Sequence, residues 1–287
     1  MTRRELLMMM AAAATAGSAS ARVAGQRPVL TPIGLGTWQT FDVGASAAER
    51  KPLAEVLSLF VKLGGTVVDS SPMYGRSEEV VGDLAVQAGV RDKLFVATKV
   101  WTTGRAAGIA QMKESERKLR GKVDLMQVHN LQDARTHLDT LRGWKSEGRI
   151  RFIGITHYHS GAYDDLAAYI RRGGIDFVQL NYSLAEREAE RTFLPLAREH
   201  NVAVLANRPF GAGSLFRETR NKPLPAFAKE LNATSWAELF LKFIVAHPAV
   251  TVAIPATSKP EHLRQNMRAA KGPFPDEAMR RKIADAL

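Results

Sequence analysis

From residue 33 onward, short β-rich runs alternate with longer segments whose apolar residues recur at helical spacing, the signature of successive strand–helix units. The pattern predicts strands near 33–37, 66–69, 94–98, 124–128, 151–155, 176–180, 202–206 and 251–254. Between them it predicts helices such as 47–62, 77–87, 106–119, 134–146, 188–199 and 235–246. Several strands, such as Val202-Ala203-Val204-Leu205, are continuously apolar, as expected where helices cover both faces of a parallel sheet. Eight such units close a (β/α)8 barrel, the TIM-barrel architecture, as a single α/β domain. A doubly wound sheet is the competing arrangement. Its dinucleotide fingerprint needs a third glycine, but Gly34-Leu35-Gly36 is followed by Thr37-Trp38-Gln39. No linker interrupts the pattern, so 22–287 reads as one barrel.

Composition narrows the partners. The 287 residues are 45% hydrophobic and 24% charged, a balance that can bury a large core and argues against disorder or membrane spanning. The net charge of +11 suits an anionic ligand. The basic residues are scattered, as at Arg149 with Arg151 and Arg171 with Arg172, and mostly alternate with acids. That distribution argues against a nucleic-acid partner, which would favour a basic stripe. With no cysteine, disulfides, thiolate chemistry and cysteine-based metal sites are excluded.

The N-terminus has the order of an address. Thr2-Arg3-Arg4-Glu5-Leu6-Leu7 precedes an apolar stretch, Met8 to Ala16, and then small residues ending in Ala19-Ser20-Ala21. The adjacent arginines resemble the twin-arginine export signal of bacteria. The apolar run is too short to span a bilayer as a helix. A helix with two incidental arginines is the alternative. The expectation is a signal peptide over 1–21, a mature protein beginning near Arg22, and a periplasmic or exported location reached through the twin-arginine machinery. Without a functional leader the location is cytoplasmic.

In a βα barrel the catalytic groups come from the C-terminal ends of the strands. Asp69 ends the predicted second strand, Lys99 the third and His129 the fourth, and Tyr74 lies in the turn after the second. Singly, these are a helix cap, a surface lysine, a satisfied histidine and loop packing. Together they make a proton donor. A tyrosine hydroxyl, with a pKa of about 10, can protonate an alkoxide, and a nearby ammonium lowers that pKa. A carboxylate beside the lysine limits the cost of burying it.

These residues stand in motifs that resemble the aldo-keto reductases: Val68-Asp69-Ser70-Ser71-Pro72-Met73-Tyr74-Gly75, Ala97-Thr98-Lys99-Val100-Trp101 and Val123-Asp124-Leu125-Met126-Gln127-Val128-His129. The likeness runs on through Arg151-Phe152-Ile153-Gly154-Ile155, Gln179-Leu180-Asn181-Tyr182-Ser183 and Ile254-Pro255, covering about residues 29–270. The resemblance implies reduction of aldehydes or ketones by hydride from NADP(H), without a metal. Tyr74 would protonate the carbonyl oxygen, Lys99 paired with Asp69 would depress the tyrosine pKa, and His129 would donate a hydrogen bond that orients the carbonyl.

The same resemblance assigns the cofactor's contacts. Thr37 lies at the mouth end of the first strand; Gln179 would bond the nicotinamide carboxamide; Gly211, Gly213, Ser214 and Leu215 would cradle the pyrophosphate. Thr257, Ser258, Lys259, His262, Arg264 and Asn266 would hold the adenosine end, favouring NADP(H) while leaving NAD(H) open. Three departures stand out. Thr156-His157 replaces the usual Ser-Asn pair; Asn207 stands where an aromatic residue usually stacks, with Phe210 a replacement if it shifts; and Arg208 is either a phosphate contact or a surface ion pair.

Trp38, Trp101 and Phe210 are expected to line the substrate pocket, with core packing as the alternative. No long C-terminal segment follows the eighth helix, so the mouth should be open and the selectivity broad. Two other functions use the same residues: an NADP(H)-holding sensor or regulatory subunit with little turnover, and a barrel aldolase in which Lys99 forms a Schiff base.

Overall fold

The computed structural model describes residues 30–287, so the leader expected over 1–21 lies outside the described residues. Eight parallel strands pair in chain order: β1 (Leu35–Gly36), β2 (Val67–Asp69), β3 (Phe95–Val100), β4 (Leu125–His129), β5 (Phe152–Thr156), β6 (Phe177–Asn181), β7 (Ala203–Asn207) and β8 (Val250–Ala253). The principal helices are α1 (Ala47–Lys62), α2 (Ser77–Gln87), α3 (Arg105–Lys118), α4 (Ala134–Ser146), α5 (Tyr163–Arg172), α6 (Phe193–Glu199), α7 (Ser214–Glu218), α8 (Trp236–Val245), α9 (Pro260–Arg268) and α10 (Glu277–Asp285). All eight predicted strands and the six predicted helices are present. The helix expected over 188–199 is divided, with a 3₁₀ turn at Glu188–Glu190 and α6 after it.

The strand sequences explain where polar groups collect. Side chains alternate across a strand, and the register aligns one set: Val67, Phe95, Ala97, Leu125, Phe177, Ala203, Leu205, Val252 and Ile254 form one apolar cluster, with Phe152 packed against it. The other set, including Val68, Val96, Met126, Ile153, Val178 and Val204, joins the larger core shared with the helices. Toward the strand C-termini the first set turns polar, becoming Asp69, Lys99, Gln127, His129, Thr156, Gln179 and Asn181, all buried. One face of the sheet thus runs from a dry aromatic base to a polar mouth.

The two ends of the sheet meet at a glycine seam. Ile33 bridges Ala253 and Gly36 bridges Ala256, both parallel, and Gly36 N–H donates to the Pro255 carbonyl at 3.0 Å. A Cβ on Gly36 would lie 2.8 Å from the Ile254 carbonyl oxygen, closer than carbon and oxygen tolerate. The glycines that fail as a nucleotide fingerprint therefore serve strand approach.

A buried charge network ties α10 to the segment after β6. Arg280 is 5% exposed, and its guanidinium donates to the Tyr182 hydroxyl and to Glu190, each at 2.6 Å. Tyr182 in turn donates to Glu190 at 2.5 Å. Burial of the guanidinium is compensated because its partners are fixed and hydrogen-bonded.

Candidate active site

The geometry begins at Asp69, the last residue of β2. Its Oδ2 accepts from Lys99 Nζ at 2.7 Å and from Gln179 Nε2 at 3.1 Å, and its Oδ1 accepts from Gln127 Nε2 at 3.1 Å. Lys99 also donates to the Ser70 carbonyl at 2.7 Å. Both members of the ion pair are almost wholly enclosed. Such a pair is tolerated only when neighbouring dipoles complete it, and here two amides and a carbonyl do so. Burial pulls the Lys99 pKa down, but Asp69 and Tyr74 outweigh it, so the ammonium is held above its ordinary value. That state disfavours the Schiff-base reading, which needs a free amine.

Tyr74 enters from the loop after β2, with the Lys99 ammonium 5.0 Å from its ring centroid. Gly75 follows in a left-handed conformation with φ of 58°, and a Cβ there would collide with the Asp42 carboxylate at 2.3 Å. The turn therefore requires glycine. Burial is the largest influence on Tyr74 and raises its pKa; Lys99 lowers it, but the net direction is upward. The expected lowering by Lys99 is present, but it offsets only part of a larger desolvation penalty, so the net shift is upward.

His129, the last residue of β4, packs edge-on to Tyr74 with centroids 5.9 Å apart and lies 6.4 Å from Trp101. Burial, then the positive charge of Lys99, push its pKa down to about 3. The imidazole is neutral throughout the ordinary pH range. Its Nδ1 lies 3.0 Å from Ser71 Oγ. Asp69, Lys99, Tyr74 and His129, each with a separate ordinary explanation, are thus brought together at one end of the sheet.

Trp38 is 46% exposed and Trp101 40% exposed, so core packing does not account for either. Phe210 is half-buried and packs against Phe216 at 4.8 Å. The backbone of Trp101 is bracketed by Gln111 of α3, which accepts from its N–H at 2.6 Å and donates to its carbonyl at 3.1 Å. The next residues are held as tightly. Thr102 carbonyl meets His137 Nε2 at 2.8 Å, Gln132 donates to Thr103, and Gly104 N–H donates to Asp133 at 2.8 Å.

The expected cofactor residues divide. Thr37 is fully buried and donates to the Asp69 carbonyl at 3.0 Å, which makes it a support for the Asp69 backbone. Gln179 adjoins Asp69, and its Oε1 is buried without a partner. Asn207 donates weakly to the His157 carbonyl at 3.4 Å and likewise leaves Oδ1 unpartnered. Buried unpaired acceptors of this kind call for a donor. Thr156 is buried beside Gln179 in the register, and His157 stacks on Tyr158. Arg208, with φ of 48°, lies over the Tyr158 ring at 5.2 Å, and no ion pair to it occurs among the described residues.

After β7, Gly211 and Gly213 are both left-handed, with φ of 55° and 87°, and lead into Ser214 and the buried Leu215. Beyond β8, Thr257 is buried and accepts from Lys259 N–H at 3.1 Å, just before α9. Ser258, Lys259, His262 and Arg264 are exposed around the start of that helix, and Asn266 is buried within it. Ser70, Ser71, Gln111 and Gln127 were not assigned roles by sequence reasoning. Gln127 was detectable, because it lies two residues before His129 and so shares its face.

The aldo/keto reductase family profile matches residues 32–283. An uncharacterized oxidoreductase of Bacillus subtilis is 28% identical over 77% of this chain and 83% of its own. The methylglyoxal reductase YeaE of Escherichia coli is 27% identical over 83% of this chain and 84% of its own. Among solved structures, an aldo/keto reductase from Klebsiella pneumoniae in complex with NADP and acetate superposes with a TM-score of 0.75 at 26% identity, covering 88% of this chain and 90% of that one.

Proposed function

The chain belongs to the aldo/keto reductase family, and on that premise we propose that it reduces aldehydes or ketones to alcohols with NADP(H), Tyr74 being the general acid. The observation that carries this reading is the enclosed Asp69–Lys99 pair beside Tyr74 and the neutral His129. NADPH, when bound, supplies the hydride to the carbonyl carbon.

The chain's residues suit that group. The unpartnered Oε1 of Gln179 and Oδ1 of Asn207 are acceptors matched to an amide N–H donor. The left-handed turn at Gly211 has no room for a side chain, since a Cβ there would press Ser214 Oγ at 2.5 Å, and it exposes backbone to phosphate oxygens. Arg208, Lys259 and Arg264 supply positive charge on the two sides of this region. Tyr74 gives its proton to the carbonyl oxygen as negative charge develops there. Lys99 stabilises the resulting phenolate, Asp69 holds Lys99 in place, and His129 orients the same oxygen by donating a hydrogen bond.

The E. coli relative's printed activity makes methylglyoxal a first assay substrate. Tyr74→Phe should lower turnover of it by at least about 10²-fold while leaving NADPH affinity, read by nicotinamide fluorescence, nearly unchanged. Undiminished turnover would refute the assignment. The same titration with NADH decides cofactor preference, for which NADP(H) is proposed. A sensor function is not favoured, because Asp69, Tyr74, Lys99 and His129 lie together in a chain whose family includes oxidoreductases. We further propose one closed barrel for 30–287 and an export leader over 1–21 that takes the protein out of the cytoplasm. Mass spectrometry finding Met1 to Ala21 retained on the native protein would overturn the leader.

A further inference from the structure

Ser71 is fully buried in the loop after β2. Its Oγ lies 3.0 Å from His129 Nδ1 and accepts the Met73 N–H at 3.4 Å. A neutral imidazole carries one proton, on either ring nitrogen, and the partner of one nitrogen decides which form prevails. His129 is neutral because it is buried beside the Lys99 ammonium. The choice of tautomer is therefore left to Ser71.

The hydroxyl has one proton to place. The Met73 N–H already occupies an accepting position on Oγ, and among the described residues no acceptor other than His129 Nδ1 faces it. The Ser71 proton thus points to Nδ1, and the imidazole proton resides on Nε2. We propose that Ser71 is a positioning residue that holds His129 as the Nε2–H tautomer, so that His129 offers a donor rather than a lone pair to a carbonyl oxygen. This rests on the carbonyl-reduction reading for its purpose. The tautomer itself does not depend on that reading.

The role differs from mere packing support. Removing the hydroxyl leaves the histidine in place yet frees its proton to move to Nδ1, where it serves no substrate oxygen. Asp69 and Lys99 are untouched by the change, since neither bonds Ser71.

The test uses ¹⁵N-histidine-labelled full-length protein, with His129 assigned by comparison with His129→Gln. Wild type should show a pyrrole-type Nε2 and a pyridine-type Nδ1, and Ser71→Ala should show a shift toward the other tautomer or a mixture. With methylglyoxal and NADPH, Ser71→Ala should lose about tenfold in kcat, the factor corresponding to one modest hydrogen bond, with NADPH affinity unchanged. Ser71→Thr, which keeps the hydroxyl, should retain the wild-type tautomer. A wild-type proton on Nδ1, or a Ser71→Ala protein with wild-type nitrogen shifts, would overturn the proposal. If wild type turns over no carbonyl but the nitrogen shifts behave as stated, the functional reading fails and the tautomer assignment stands.

Discussion

The enclosed Asp69–Lys99 pair makes the site expensive to dismantle piecewise. Lys99→Met leaves the Asp69 carboxylate buried with only two amide donors, Gln127 and Gln179, and should destabilise the protein by about 3–5 kcal/mol. Replacing both partners by apolar residues should cost less than the sum of the single changes, because the pair is coupled. Urea denaturation of the two single variants and the double variant measures this; additive costs would show that the ions do not act together. The residues of this site were legible because each lies at the end of a strand or in the turn after one, in motifs that resemble a known family. Ser71 and Gln111 were not legible. Their partners, His129 and the Trp101 backbone, are chosen by loop geometry, which no spacing rule encodes. The direction of the Tyr74 pKa was also beyond the sequence, since it depends on how completely the ring is buried.

Elements were read most reliably where one face is continuously apolar. Strands β3 to β7 stand out for that reason, and α1, α2 and α4 carry enough buried positions to declare their boundaries. Helix α5 buries only Leu166, Ala167 and Ile170 within charged flanks, so its bounds are less plainly written in the sequence. Two glycines make opposite predictions. Gly36→Ala drives a Cβ toward the Ile254 carbonyl at the seam and should cost about 1–3 kcal/mol. Gly143 lies within α4 with open space around its missing Cβ, so Gly143→Ala should stabilise by about 0.5–1 kcal/mol. Thermal midpoints of the two variants should therefore move in opposite directions from wild type.

At the scale of the whole molecule, stability should depend on acid through histidines kept neutral inside the fold. The pKa of His129 is lowered from 6.5 to about 3, and burial also lowers those of His157 and His247. Between these values the unfolded chain binds more protons than the folded one, so stability rises with pH and is lost as pH falls through the window. Denaturation midpoints should drop from pH 7 to pH 5, and His129→Gln should flatten that slope. An unchanged slope would mean that His129 is protonated in the folded state. The pH profile of turnover should likewise show no ionisation from His129 near 6.5.

The side chains that hold residues 101–104 come from α3, from α4 and from the turn before α4, and they grip backbone atoms at Trp101, Thr102 and Gly104. The path of this loop is therefore held by backbone bonds that do not involve the Trp101 indole. For protein engineering this separates shape from selectivity. Position 101 can be varied through every side chain but proline, which lacks the N–H that Gln111 accepts, so a library confined to that one codon would compare wall chemistries in one and the same vessel.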